Sequence, residues 1–206
     1  LGPWQTADGN LYFLMEPSET DNMMMIVRSR DEGASWLESD GANRPATGDL
    51  EGVATAFDGA RIHILHQTSD EVLYHVFRTS ADEQGEGWEI RDEHLASPTE
   101  PPVQVADLAL RSDGSVVGIY GDLHKLRYRI RTPEGDWGEA RVVAPDTNRD
   151  LSGPVLARAN DESVHLAYTE FDGTAWYRRI LPNGELTTAQ LVADGLGKDV
   201  EDAGGI

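Results

Sequence analysis

Three places in the sequence gather side chains that could do chemistry. His66, Tyr120 and Tyr168 each close a short apolar run, and further polar groups follow. These are Asp70 in the first case, Asp122 and His124 in the second, and Glu170 and Asp172 in the third, with Trp176 just beyond. Two carboxyl groups can serve as proton donor and base across a glycosidic bond, and an aromatic ring can stack on a sugar face. These residues form the candidate ligand-binding set. The pattern is open, however. The chain has 37 acidic residues, so acids sharing a neighbourhood are expected from composition alone. A strand aromatic also packs between sheets more often than on a ligand. No catalytic residue is assigned.

Arginines and histidines offer other chemistry. Arg28, Arg78 and Arg131 each precede Ser or Thr at the end of an apolar run. A guanidinium fork suits a carboxylate, but residues at one place in a repeat point alike and stand apart, so the three are expected to be structural. His63, His66, His75, His94, His124 and His165 form no HxH or HxxxH pair on one element. No metal site and no cofactor are expected.

The net charge of -20 argues against nucleic acid and anionic membranes, which need clustered Lys and Arg. No cysteine is present, which removes disulfides and thiolate chemistry. No apolar run approaches the ~20 residues of a membrane span. A secreted, periplasmic or cell-surface location is the expectation.

These side chains sit in a repeat. Trp36, Trp88 and Trp137 are separated by 52 and 49 residues. Each closes an apolar strand, an arginine, a hydroxyl residue and a polar turn: IVRSRDEGASW, VFRTSADEQGEGW and RIRTPEGDW. A fourth copy, YRRILPNGELT, has Leu186 in place of Trp. Upstream lie NLYFLMEP, RIHILHQT, SVVGIYGD and SVHLAYTE, each after a turn: ADGN, FDGA, SDGS or NDES. GPWQT, GVATAF, VADLAL and GPVLARA precede those turns. Short strands between frequent turns, with no 3.6-residue period, predict an all-β chain. Four strands per unit predict a β-propeller of four-stranded antiparallel blades. The blades fall near 1–51, 52–102, 103–152 and 153–206, in a single domain or segment.

Ser29-x-Asp31-x-Gly33-x-x-Trp36 resembles the Asp-box, or BNR repeat, of sialidase-like propellers. The copies ending in Trp88 and Trp137 are longer and shorter by two residues. The motif has a structural reading. Asp31 accepts backbone N–H bonds, Gly33 allows a positive φ, and Trp36 covers the turn. The resemblance implies that this turn lies away from an active site.

Fold alone leaves several functions open. The leading expectation is a non-catalytic recognition or scaffold propeller that binds carbohydrate or protein through its loop face. One alternative is a carbohydrate-active enzyme, a glycoside hydrolase or polysaccharide lyase, with part of its site outside this chain. Another is an assembly module in which a second chain or further blades complete the ring.

Overall fold

A computed structural model describes residues 1–16, 23–41, 44–45, 52–80, 87–99, 105–122, 125–143, 151–170 and 173–195. Sixteen strands form four sheets of four. The first sheet holds β1 (Trp4–Gln5), β2 (Leu11–Met15), β3 (Met25–Ser29) and β4 (Leu37–Glu38). The second holds β5 (Val53–Phe57), β6 (Arg61–Gln67), β7 (Val72–Arg78) and β8 (Trp88–Ala96). The third holds β9 (Ala106–Leu110), β10 (Val116–Asp122), β11 (Lys125–Arg131) and β12 (Arg141–Val142). The fourth holds β13 (Leu151–Arg158), β14 (Val164–Glu170), β15 (Thr174–Ile180) and β16 (Gln190–Ala193). Every sheet is an antiparallel meander in chain order, and no α-helix occurs among the described residues.

The period of two along each strand decides what each sheet faces. In the first sheet, Tyr12, Leu14 and Ile26 pack against Ile62, Ile64 and Phe77 of the second. The next residues along β6 and β7 turn the other way. Leu65, Tyr74 and Val76 meet Val116 and Tyr120 of the third sheet. Val117, Ile119 and Tyr128 then meet Val164, Leu166 and Tyr168 of the fourth. Most of these side chains are fully buried, each contributing roughly 1.5–3 kcal/mol of transfer free energy. The strands β5, β9 and β13 lie side by side and form the inner wall.

Polar contacts fasten adjacent sheets. The Gln67 side-chain amide exchanges two 2.9 Å hydrogen bonds with the Gly121 backbone, donating to its carbonyl and accepting from its N–H. The Tyr128 hydroxyl donates to the Gly184 carbonyl at 2.7 Å, and that of Tyr12 to the Thr79 carbonyl at 3.1 Å. Gly118 lies on the face of the third sheet that meets the second. A Cβ there would stand 3.2 Å from Leu65, 3.3 Å from Leu95 and 3.4 Å from Trp137.

The first turn of the last three units repeats one device. Asp58 accepts the backbone N–H groups of Ala60 and Arg61, Asp113 that of Ser115, and Asp161 that of Ser163. Gly9, Gly59 and Gly114 take positive φ in the first three turns; in the fourth, Glu162 takes φ 63 instead.

The stretch 29–36 forms a turn held by its own polar groups. The Ser29 hydroxyl donates to Asp31 Oδ1 and accepts from Gly33 N–H, both at 2.8 Å. Asp31 also accepts the N–H and hydroxyl of Ser35, at 2.8 and 2.6 Å. These bonds hold its carboxyl down at about 2. Trp36 Nε1 donates to the Gly33 carbonyl at 3.1 Å, and its ring meets Phe13 edge-on. The other tryptophans are used differently. Trp88 begins β8 against Phe77. Trp137 reaches back to the second sheet, edge-on to Tyr74, and donates to Glu93 at 2.6 Å.

The three arginines do not share a register, contrary to the expectation from the repeat. Arg28 lies opposite Tyr12, Arg78 opposite Arg61, and Arg131 opposite Val116. Arg28 and Arg131 therefore project to opposite faces of their sheets, because one residue of slip reverses a strand side chain.

Candidate functional site

Among the described residues, the predicted set does not converge. His66, Tyr120 and Tyr168 occupy equivalent registers and are 1%, 2% and 4% exposed. Each fills a successive joint between sheets. Trp176 lies opposite Tyr168 and packs against the core between the third and fourth sheets. Glu170 is buried at the end of β14. Asp70 is exposed in the turn after β6. Tyr120 and Asp122 do share a cleft of 380 Å³ with His94, Arg127 and Arg129. Asp122 there accepts Thr99 N–H at 3.0 Å and pairs with Arg127 Nε. His124 and Asp172 lie outside the described residues, as do 46–51, 100–104 and 144–150 between the sheets.

A larger concavity lies on the inner wall. It has a volume of 670 Å³ and is lined by β5, β9 and β13 and their following turns. Asp58, His63, Asp107, Arg111 and Arg158 supply its charged and titratable groups. Three of these are accounted for by structure. Asp58 holds its turn, as its counterparts do. Arg111 donates to the carbonyls of Leu181 and Pro182, at 2.9 and 3.4 Å, and so ties the third sheet to the fourth. His63 Nδ1 lies 2.5 Å from the Tyr74 hydroxyl, and Nε2 lies 3.3 Å from Asp58. Burial raises the phenol pKa and lowers that of His63. The neutral phenol therefore donates to Nδ1 of a neutral ring, which donates from Nε2 to Asp58.

Asp107 has no such repeat. It lies opposite Ile119, where the other inner strands carry Ala54 opposite Leu65 and Val155 opposite Ala167. Burial raises its carboxyl to about 6, outweighing two backbone bonds. Oδ1 accepts Leu108 N–H at 2.8 Å, and Oδ2 accepts Leu156 N–H at 2.5 Å. A carboxyl that titrates near neutrality beside a cavity can give or take a proton there. The sequence signal for it was an acid interrupting the apolar run VADLAL, where GVATAF has alanine.

No protein-family model and no curated protein sequence matches this chain. Solved β-propellers do. One is the GH93 α-L-arabinofuranosidase of Fusarium graminearum in complex with arabinobiose: TM-score 0.57, 17% identity, 93% of this chain and 65% of that one. A PL25 ulvan lyase bound to -[GlcA(1-4)Rha3S]- gives TM-score 0.63 at 12% identity, covering 93% and 55%. The NanB sialidase of Streptococcus pneumoniae, as its K499G mutant, gives TM-score 0.55 at 14% identity, covering 80% and 26%. At these identities the likeness establishes the propeller fold. The chain spans about two thirds or less of each of these proteins. The expectation of a non-catalytic recognition propeller is corrected here, since these neighbours are carbohydrate-active enzymes and favour the enzyme alternative.

Proposed function

We propose that this chain supplies the inner wall of a carbohydrate-active enzyme, a glycoside hydrolase or polysaccharide lyase, with Asp107 as its proton-transferring carboxyl. The observation that carries the reading is Asp107 itself. It is an acid lifted to about 6, beside a 670 Å³ concavity, where two sister blades carry alanine and valine. Perturbed carboxyls in cavities are candidates for acid–base work. The activities of the structural neighbours support the same class. The turn at 29–36 is read as an Asp-box that braces its hairpin, away from the chemistry. We infer a secreted, periplasmic or cell-surface location from this reading, because polysaccharides are met outside the cytoplasm.

The test is cleavage of a panel of neutral and uronate-containing polysaccharides, comparing the protein with Asp107→Asn. New reducing ends report either reaction, and ultraviolet absorbance of an unsaturated uronyl end reports a lyase alone. Asn keeps an acceptor for Leu156 N–H but cannot transfer the proton, so turnover drops about 10²–10⁴-fold. Full activity in a folded Asp107→Asn protein sinks the assignment.

A further inference from the structure

Arginine occupies the same register on the third strand of the last two sheets, in different circumstances. Arg178 lies opposite Leu166 and is tied down. Its Nε donates to the Thr187 carbonyl at 2.8 Å, and a terminal nitrogen donates to the Val143 carbonyl. Arg129 lies opposite Gly118, the matching place. Its Nε is buried and has no hydrogen-bond partner. The guanidinium lies near the Tyr120 hydroxyl. Its neighbours on the same face are both paired: Arg127 with Asp122, and Arg131 with Glu93 through bonds of 2.8 and 2.9 Å. Arg129 forms no ion pair among the described residues.

We propose that the cleft around Arg129 binds the anionic group of a sugar, a carboxylate or a sulfate. A half-buried cation without a counter-charge is costly, and a planar guanidinium fork meets either oxyanion with two parallel bonds. The 380 Å³ cleft is lined by His94, Ser97, Tyr120, Asp122, Arg127 and Arg129. Two guanidinium groups face one carboxylate there, which leaves a local positive charge on a chain of net charge -20. On the opposite wall, His94 Nε2 and the Ser97 hydroxyl lie 2.9 Å apart and offer partners for sugar hydroxyls. The protein's overall charge repels a polyanion at long range, so attraction arises only within the cleft and is sensitive to salt. That the anion belongs to a sugar rests on the carbohydrate reading above; that an anion binds at all rests on the cleft.

Titration of the full chain with sodium glucuronate, sodium sulfate and glucose tests this, following the arginine Nε–H resonances. Glucuronate and sulfate are expected to shift the Arg129 signal, glucuronate the more tightly, while glucose does not. Arg129→Met weakens glucuronate binding about tenfold to a hundredfold, and Arg129→Lys falls between. Added sodium chloride weakens binding to the unaltered protein, a readout that needs no variant to fold. An unmoved Arg129 signal, equal binding of glucose, or undiminished binding in a folded Arg129→Met protein overturns the proposal. Equal affinity for sulfate and glucuronate removes the sugar as ligand and leaves the Asp107 chemistry untouched. Absence of anion binding by the unaltered protein, with cleavage intact, removes the cleft and leaves the enzyme reading in place.

Discussion

The second and fourth sheets carry the same pair of side chains in different surroundings. His63 Nδ1 lies 2.5 Å from the Tyr74 hydroxyl, and His165 Nδ1 lies 2.6 Å from that of Tyr177. In both sheets the tyrosine lies opposite the residue two places after the histidine. On the second sheet this face is covered: Trp137 stands edge-on to Tyr74, Arg131 lies over its ring, and Tyr74 is 1% exposed. On the fourth, Tyr177 and His165 are half-buried and Ala167 is exposed, where the second sheet has fully buried Leu65. No sheet among the described residues covers that face. The lesson is that strand register alone makes the pair, while the neighbouring sheet decides what the pair is worth.

The largest expected contrast comes from the covering ring. Trp137→Ala should cost about 3–5 kcal/mol by denaturant unfolding, since it empties a packed joint. Tyr177→Ala on the uncovered face should stay within about 1 kcal/mol. Equal losses would mean that the fourth sheet's face is as buried in solution as the second's.

The inner wall gives the next effect. Asp107 stands where a sister strand has Ala54, and its carboxyl is raised from 3.8 to about 6. The folded protein therefore holds this proton more tightly than the unfolded chain. The associated stability is present below the unfolded carboxylate range and is lost as pH rises through about 6. Asp107→Asn removes the charge but sets its NH2 against the Leu108 N–H, so its stability relative to the parent should rise by about 3 kcal/mol between pH 3 and pH 8. A gain that does not vary with pH would show that the carboxyl is not strained by burial. Paired with the loss of turnover, this gives Asp107 opposite effects on stability and activity, as expected of a functional acid.

The outermost strands sharpen the comparison at smaller magnitude. Glu93 and Gln190 lie opposite Tyr74 and Tyr177, at the same place in their sheets. Glu93→Gln should cost about 1 kcal/mol, because it weakens the bidentate hold on Arg131. Gln190→Glu should change little, because no sheet among the described residues meets it. The smallest effect belongs to a turn. Ser29→Ala removes the hydroxyl that accepts Gly33 N–H and should cost up to about 1 kcal/mol, read as a shift in melting temperature.

The sheets were legible in the sequence because strand alternation and Asp–Gly turns are local signals. The register of the arginines was not. The turns ending in Trp36, Trp88 and Trp137 differ in length, so aligning Arg28, Arg78 and Arg131 by the hydroxyl that follows them slides the strands by single residues. Each single slip moves a side chain to the other face. Among the candidate residues, the strand-end positions of His66, Tyr120 and Tyr168 were read correctly as equivalent, but equivalence places them in separate joints. Asp107 escaped notice because its surroundings in sequence are apolar, and only pairing with Ile119 and Leu156 shows what that context does to a carboxyl.

Gly118 shows that an absent side chain can set how closely two sheets approach. With Leu65, Leu95 and Trp137 all within 3.4 Å of the missing Cβ, a methyl group at this position would act as a shim between two blades. The missing atom lies close to the proposed chemistry, since Gly118 stands opposite Arg129 on one side and Leu108 on the other, one residue from the pairing of Ile119 with Asp107.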